Sequence, residues 1–351
     1  MIRTATVVDS YRLSPMQQGM LFHHLFAPDS GADIEQMIIG LPEPLDMAAF
    51  ETAWQATLAR HEVLRSAFRW EGLAEPVQDV YDEVPLPLTE HDWRALDESE
   101  QNEQFKAWLA ADRTAGFDVA LPPLARLTVF RLADDQTRVV WTFHHLFLDG
   151  RSFPIVLKDV FAVYEAARSG DKLELPPATP YKDYIDWFHN LDLKPAERYW
   201  RDTLAGFAAP TPLVVDTLGT VPAGTTGYSV AESWLSPALT TALNELAQKA
   251  GVTMNTLVQG GWSLLLSRYS REDDVVFGAT RACRHNTIPG SLEMAGLFIN
   301  TLPMRVPVPP DSVLIPWLQS IREQHVALRD FEHTPLVKVQ EWSDVPRGMQ
   351  L

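Results

Sequence analysis

The sequence predicts a mixed α and β fold in two parts of comparable size. Short β-branched and aromatic runs such as Val139–Phe143 and Asp274–Gly278 read as strands. Between them lie stretches with apolar residues three and four apart, such as Met47, Phe50, Trp54 and Leu58, which read as helices with one buried stripe. Near the middle, Leu173-Glu-Leu-Pro-Pro-Ala-Thr-Pro180 is a proline-rich connector and the candidate boundary, dividing the chain into 1–175 and 176–351. With 351 residues, 46% of them hydrophobic, each half is long enough to bury a core.

Taken in order, Ser14-Pro15 opens the first helix, the serine as N-cap and the proline in the first turn. It runs through Phe22 and carries a pair, His23-His24, which reads as structural: apolar residues flank it and no turn bearing a carboxylate follows. Residues 35–41 alternate as a strand, and Asp46 caps the helix that carries the Met47 stripe. That helix ends in Arg60-His-Glu-Val-Leu-Arg65-Ser-Ala-Phe68, leading into a strand. By itself this segment reads as a solvated helix terminus. Residues 98–115 form a polar-faced helix around Phe105, Trp108 and Leu109. A strand pair, 124–132 and 138–143, turns at Ala133–Gln136, and a helix follows over 153–167.

Beyond the connector, Tyr181–Trp187 begins a helix of aromatic residues, and another passes through Tyr199-Trp200 to Leu204. Ser236-Pro237 caps the next, which Gly251 closes, and Thr253 caps one over Met254–Tyr269. Strands are expected at Asp274–Gly278 and Gly296–Val306, and a helix at 313–330.

The chemistry concentrates in Trp141-Thr-Phe-His-His-Leu-Phe-Leu-Asp-Gly150, where a strand delivers His144 and His145 to an Asp-Gly turn. An imidazole at a strand end can transfer a proton near neutral pH. A buried histidine pair beside an ordinary turn is the alternative that spacing alone leaves open. The net charge of −17 argues against a nucleic-acid partner, which would want a basic stripe. The single cysteine, Cys283, allows no disulfide framework, fits a reducing cytoplasm, and is assigned no nucleophilic role. The N-terminal segment lacks the apolar core and cleavage site of a secretory leader, and no apolar run is long enough for a membrane span, so a soluble cytoplasmic protein is expected. No internal repeat, phosphate-binding Gly-rich loop, metal-ligand spacing or Ser-centred nucleophile elbow is present.

Five segments together resemble the motifs of the condensation domains of nonribosomal peptide synthetases. His144-His145-x-x-x-Asp149-Gly150 is similar to the family signature. Tyr11-Arg-Leu-Ser14-Pro-Met-Gln-Gln-Gly-Met20 resembles its opening motif and Arg60–Phe68 its second. Tyr181-x-Asp183-Tyr184-x-x-Trp187 resembles the fourth and Gly296-Leu-Phe-Ile-Asn300-Thr-Leu-Pro303 the fifth. The resemblance implies an α/β fold of two chloramphenicol-acetyltransferase-like lobes in a V with a central tunnel. It implies that peptidyl carrier proteins present a donor and an acceptor as phosphopantetheine thioesters, and that the acceptor amine attacks the donor thioester to form an amide. The chain would bind no cofactor of its own, since the phosphopantetheine belongs to the carriers, and an adenylation domain would be adjacent in a parent multidomain chain. Metal, nucleic-acid and membrane partners are not implied.

Carried over onto this sequence, His145 is the catalytic histidine, as general base or by positioning the amine. His144, Asp149 and Gly150 complete the motif: His144 in a structural role, Asp149 paired with Arg65 in preference to Arg60, Gly150 giving close backbone approach and an N–H toward the thioester oxygen. Asn300, Ser152 and Tyr181 are placed along the tunnel, Asn300 by packing or by positioning. The retained histidines and Arg151-Ser152-Phe153 favour peptide-bond formation over heterocyclisation or epimerisation. Family members continue beyond a segment like His333-Thr-Pro335 for longer than this chain does, so a second lobe lacking its last segment is expected. A stand-alone acyltransferase of the same superfold and a non-catalytic carrier-docking module are the alternatives. Flanking carrier and adenylation domains would distinguish the first, and loss of His145 or Asp149 would favour the second.

Overall fold

The computed structural model describes residues 5–27, 30–212, 231–285, 287–346 and 349. The chain groups into two units. One runs to Asn190 and includes Thr287–Phe298, and the other comprises Leu191–Asn286 and Ile299–Leu351.

The first unit contains β1 (Val7–Arg12), α1 (Pro15–Phe26), β2 (Ile34–Leu41), α2 (Met47–Arg60), β3 (Ser66–Arg69), β4 (Val77–Tyr81), β5 (Leu88–Asp92), α3 (Glu98–Ala115), β6 (Ala125–Ala133), β7 (Gln136–His144), α4 (Ser152–Ser169) and α5 (Tyr181–His189). Its larger sheet has the order β2-β7-β6-β5, with β5 parallel to β6 and the other pairs antiparallel. A smaller antiparallel sheet has the order β1-β4-β3. The interior position of β7 explains its near-continuous apolar run, because both faces are covered. On one face Trp141 packs edge-on to Trp54 of α2 at 5.0 Å, and Phe143 meets Phe153 of α4 at the same ring separation. On the other, Val140 and Phe130 pack against Phe105 of α3. Successive residues of β7 thus serve opposite cores, as the pleat requires.

Helix starts follow local chemistry. Ser14 and Gln17 form a reciprocal capping box at α1, and the Asp46 side chain accepts from Ala49 N–H at 3.0 Å to begin α2. The units divide after Asn190, beyond the expected boundary at 175/176. The proline-rich connector lies along the first unit, with Arg60 Nε donating to Pro176 O at 2.9 Å. Beyond it α5 buries Tyr181, Tyr184 and Ile185 in the first core. Strands β1, β4 and β5 were not anticipated.

The second unit contains α6 (Lys194–Thr203), α7 (Pro237–Ala250), α8 (Met254–Ser270), β8 (Asp274–Arg281), β9 (Asn300–Pro307), α9 (Leu314–Ala327) and α10 (Leu336–Trp342). Strands β8 and β9 pair antiparallel, from Asp274 opposite Pro307 to Arg281 opposite Asn300. Trp200 of α6, Leu302 and Met304 of β9 and Leu328 form its main core. Ser236 and Thr253 cap α7 and α8, and Gly251 closes α7 in the left-handed region at φ 68°. The strand expected from Gly296 begins only at Asn300, because the backbone of Gly296 and Phe298 is engaged by side chains of the first unit. Helix α10 was not anticipated. Among the described residues, no helix is long and apolar enough to cross a membrane.

Candidate active site

Strand β7 ends at His144, opposite Ile34 at the start of β2. The five residues from His145 to Asp149 then turn the chain toward α4. Leu146, Phe147 and Leu148 are fully buried, so apolar packing anchors the turn from below. Gln17 of α1, itself fully buried, donates from Nε2 to Leu146 O at 3.3 Å and to Gln78 Oε1 at 2.8 Å. The turn is thereby tied to the smaller sheet by an amide network.

Asp149 is fully buried and acts as the hub of the turn's far end. Its Oδ1 accepts from Arg151 N–H (3.1 Å), Ser152 N–H (3.0 Å) and Ser152 Oγ (2.9 Å), which supplies the missing cap at the start of α4. Its Oδ2 accepts from Phe298 N–H at 3.0 Å, and its own N–H donates to Gly296 O at 3.2 Å. The Ser152 hydroxyl accepts from Gly296 N–H at 3.0 Å and lies 2.8 Å from Gly296 O. Residues 296–298 are thus stapled to the turn along their backbone. Gly296 is required there: a Cβ would stand 2.1 Å from Cδ2 of Tyr181.

The two histidines differ sharply. His144 is fully buried, its Nδ1 accepts from Leu146 N–H at 3.0 Å, and its Nε2 lies 3.2 Å from Nδ1 of His24. Burial, aided by the nearby His24 and His145, pushes its pKa down to about 3, so it is neutral at pH 7. His145 is half-buried and fixed through its backbone, its N–H donating to Asp33 O at 2.7 Å. Its Nδ1 is buried with no hydrogen-bond partner among the described residues.

The family model described as "Condensation domain" matches residues 7–351. The chain belongs to the condensation-domain family. It is 41% identical, over 98% of its length, to one of the linear gramicidin synthase proteins of Brevibacillus parabrevis, of which it spans 4%. Its fold is similar to the starter condensation domain of rhizomide synthetase solved with C8-CoA, at a TM-score of 0.83 and 20% identity, covering 97% of this chain and 77% of that one. It is also similar to a four-domain nonribosomal peptide synthetase bound to AMP and glycine, at a TM-score of 0.78 and 19% identity, covering 97% of this chain and 26% of that one.

In this condensation domain the structure gathers His144, His145, Asp149, Gly150 and Ser152 at one strand–turn–helix junction, and it places the other expected residues elsewhere. Arg65 does not pair with Asp149: its guanidinium donates to Tyr81 O and stands 3.7 Å from Glu62. Arg60 engages Asp159 of α4, with His61 Nε2 also 2.7 Å from that carboxylate. Asp149 accepts from the backbone N–H groups of Arg151, Ser152 and Phe298 and from the Ser152 hydroxyl. Ser152 and Tyr181 are buried, and Tyr181 OH donates to Leu297 O at 2.5 Å. In the second unit, Asn300 Nδ2 donates to Glu332 O and Thr334 O at 3.0 and 2.8 Å. Gly150 is exposed, and a Cβ there would meet nothing within 4 Å. The fold itself therefore makes no demand for glycine at 150. Sequence reasoning missed His24, Asp33 and Gln17; only Gln17 lay inside a quoted motif.

Proposed function

We propose that this condensation domain joins a donor acyl or peptidyl thioester to the α-amine of an acceptor aminoacyl thioester. The observation that carries the reading is the contrast within the motif. The polar groups of His144, Asp149 and Ser152 are committed to the fold, whereas His145 is held by its backbone and keeps a ring nitrogen unspent. A buried polar atom without a partner is costly in a native fold and calls for an explanation, of which a catalytic role is one. The kinship to a linear gramicidin synthase and the likeness to a four-domain synthetase support thioester substrates on phosphopantetheinyl carrier proteins and a neighbouring adenylation domain. The arm's chemistry would come from the carriers, and a cytoplasmic setting suits such an assembly.

In the reaction, the acceptor nitrogen attacks the donor carbonyl carbon, a C–N bond forms, the C–S bond breaks, and the thiolate leaves with the amine's proton. An α-amine titrates near pH 8, so at neutral pH His145 need remove only one proton or hold the neutral amine in line. Positioning alone can lower such a barrier by several kcal/mol. The backbone of Gly150, at the open end of the turn, can approach the thioester closely because no side chain intervenes.

The test supplies donor and acceptor carriers loaded with aminoacyl phosphopantetheine to the chain and to its His145→Ala variant. Intact-protein mass spectrometry then reads dipeptidyl acceptor. Product with the native chain and none with the variant is expected. Equal product from both would remove His145 from the chemistry, and acylation of free amines from coenzyme A thioesters alone would favour a stand-alone acyltransferase.

A further inference from the structure

The histidine pair on α1 has no role in the proposed reaction, yet one member reaches the signature turn. His24, in the last turn of α1, sets its ring edge-on to that of His144 with centroids 4.8 Å apart, and its Nδ1 lies 3.2 Å from His144 Nε2. Which atom carries the proton follows from the other side of the ring. Leu146 N–H points at His144 Nδ1, so that nitrogen has a lone pair and no hydrogen. A neutral imidazole carries one N–H, which must then sit on Nε2. His144 is therefore the donor, His24 Nδ1 the acceptor, and His24 carries its own hydrogen on Nε2.

The same inventory disposes of a second possibility. His24, Asp33 and His144 each offer one ligand atom, all within 4.8 Å of one another, which is close enough for a metal ion. A metal on His144 Nε2 would need the lone pair there and the hydrogen on Nδ1, against the Leu146 N–H. Ligation would break one interaction of a fully buried ring to make another. The hydrogen-bonded arrangement satisfies both ring nitrogens of His144 as it stands.

Asp33 completes the arrangement through its backbone: its carbonyl accepts the His145 N–H at 2.7 Å. Its carboxyl is pushed above the ordinary range by burial, with His24 the leading opposing influence. The end of α1 and the segment leading into β2 thus hold consecutive residues of the signature, His144 by its ring and His145 by its backbone. We propose that His24 is a positioning residue: it accepts the ring N–H of His144 and so fixes the root of the turn that presents His145. The inference rests on the function proposed above. An outer residue that orients a functional group typically contributes about 10- to 100-fold to activity.

The test compares His24→Leu, His24→Asn and His23→Leu in the full chain labelled with 15N-histidine. The asparagine Oδ1 can stand where His24 Nδ1 stands and accept the same hydrogen, whereas leucine cannot. His23, on the same helix turn, is the control. Two quantities are read: the ring N–H proton of His144, which a buried hydrogen bond makes slow to exchange, and the rate of dipeptidyl product at saturating carrier. His24→Leu is expected to lose the resonance and at least about tenfold in rate, with His24→Asn retaining both and His23→Leu unchanged. A His24→Leu chain that keeps resonance and rate would overturn the proposal, as would a His24→Asn chain no better than leucine. If the unaltered chain forms no amide, the functional reading falls, while the ring-proton pattern still decides whether His24 holds His144.

Discussion

Replacing Asp149 separates a carboxylate that builds the site from one that takes part in the reaction. Its Oδ1 caps α4 and its Oδ2 holds the Phe298 N–H. Asp149→Ala removes both. Loss of a helix cap costs about 0.5–2 kcal/mol, and a buried N–H left without an acceptor costs about 1–3 kcal/mol, so the variant should be destabilised by about 1.5–5 kcal/mol. Asp149→Asn keeps one oxygen. Turned to retain the cap, its amide group faces the Phe298 N–H, and only the second cost, about 1–3 kcal/mol, is incurred. Urea unfolding gives the order native, Asn, Ala, and hydrogen exchange at the Phe298 amide reports the local loss of protection in both variants. Amide formation by Asp149→Asn should follow its folded fraction, since the carboxylate is placed as a staple. An Asp149→Ala chain with an unchanged midpoint and a protected Phe298 amide would refute this account, and a fully folded but inactive Asp149→Asn chain would make Asp149 a participant in proton transfer.

The low pKa of His144, about 3, makes stability depend on pH in a defined direction. Between that value and the ordinary 6.5 the unfolded chain binds a proton that the native chain does not, so stability is complete above pH 6.5 and lost as pH falls. His325 and His333, each lowered to about 4 mainly by burial, act in the same direction. Urea midpoints should therefore decline from pH 6.5 toward 4, and less steeply for His144→Asn; a pH-independent midpoint would contradict the burial of these rings. Two glycines should behave oppositely on substitution. Gly296→Ala drives a methyl into the Tyr181 ring and should cost about 1–3 kcal/mol or more in thermal unfolding, whereas Gly150→Ala meets open space and should leave the melting temperature unchanged while slowing amide formation.

What the sequence disclosed and what it withheld divide along the range of the interaction. Helix caps at Ser14, Asp46, Ser236 and Thr253 were legible because the cap and its target lie three residues apart. The interior strand β7 was legible because burial on both faces imposes an unbroken apolar run. The pairing of β1 with β4 was not, since short strands of mixed polarity carry little periodicity and find their partner only through the fold. In the site, Asp149 meets Phe298 across 149 positions and His144 meets His24 across 120. Charge complementarity suggested Arg65 for Asp149, but the fold turns Arg65 toward Tyr81 O and Glu62, a choice that composition does not reveal. The pair His23-His24 read as structural by its apolar neighbours; the signal that could have separated the two was Asp33 in the segment leading into β2.

The placement of these groups reduces the chemistry of the turn to very few atoms. His144, Asp149 and Ser152, which stand beside His145 and Gly150 in the sequence, spend their polar atoms on the Leu146 amide, the start of α4 and the backbone of Gly296 and Phe298. Each such bond contributes modestly to stability, yet together they remove the motions by which the His145 ring could drift from a productive geometry. For the proposed reaction, in which an amine is held against a thioester with only a small proton shift to drive, rigidity contributes more than extra acids and bases would. That is why the four signature positions, with Ser152, can yield one available imidazole and one open backbone edge, and why the proposal makes a histidine far away in sequence, on α1, part of the same device.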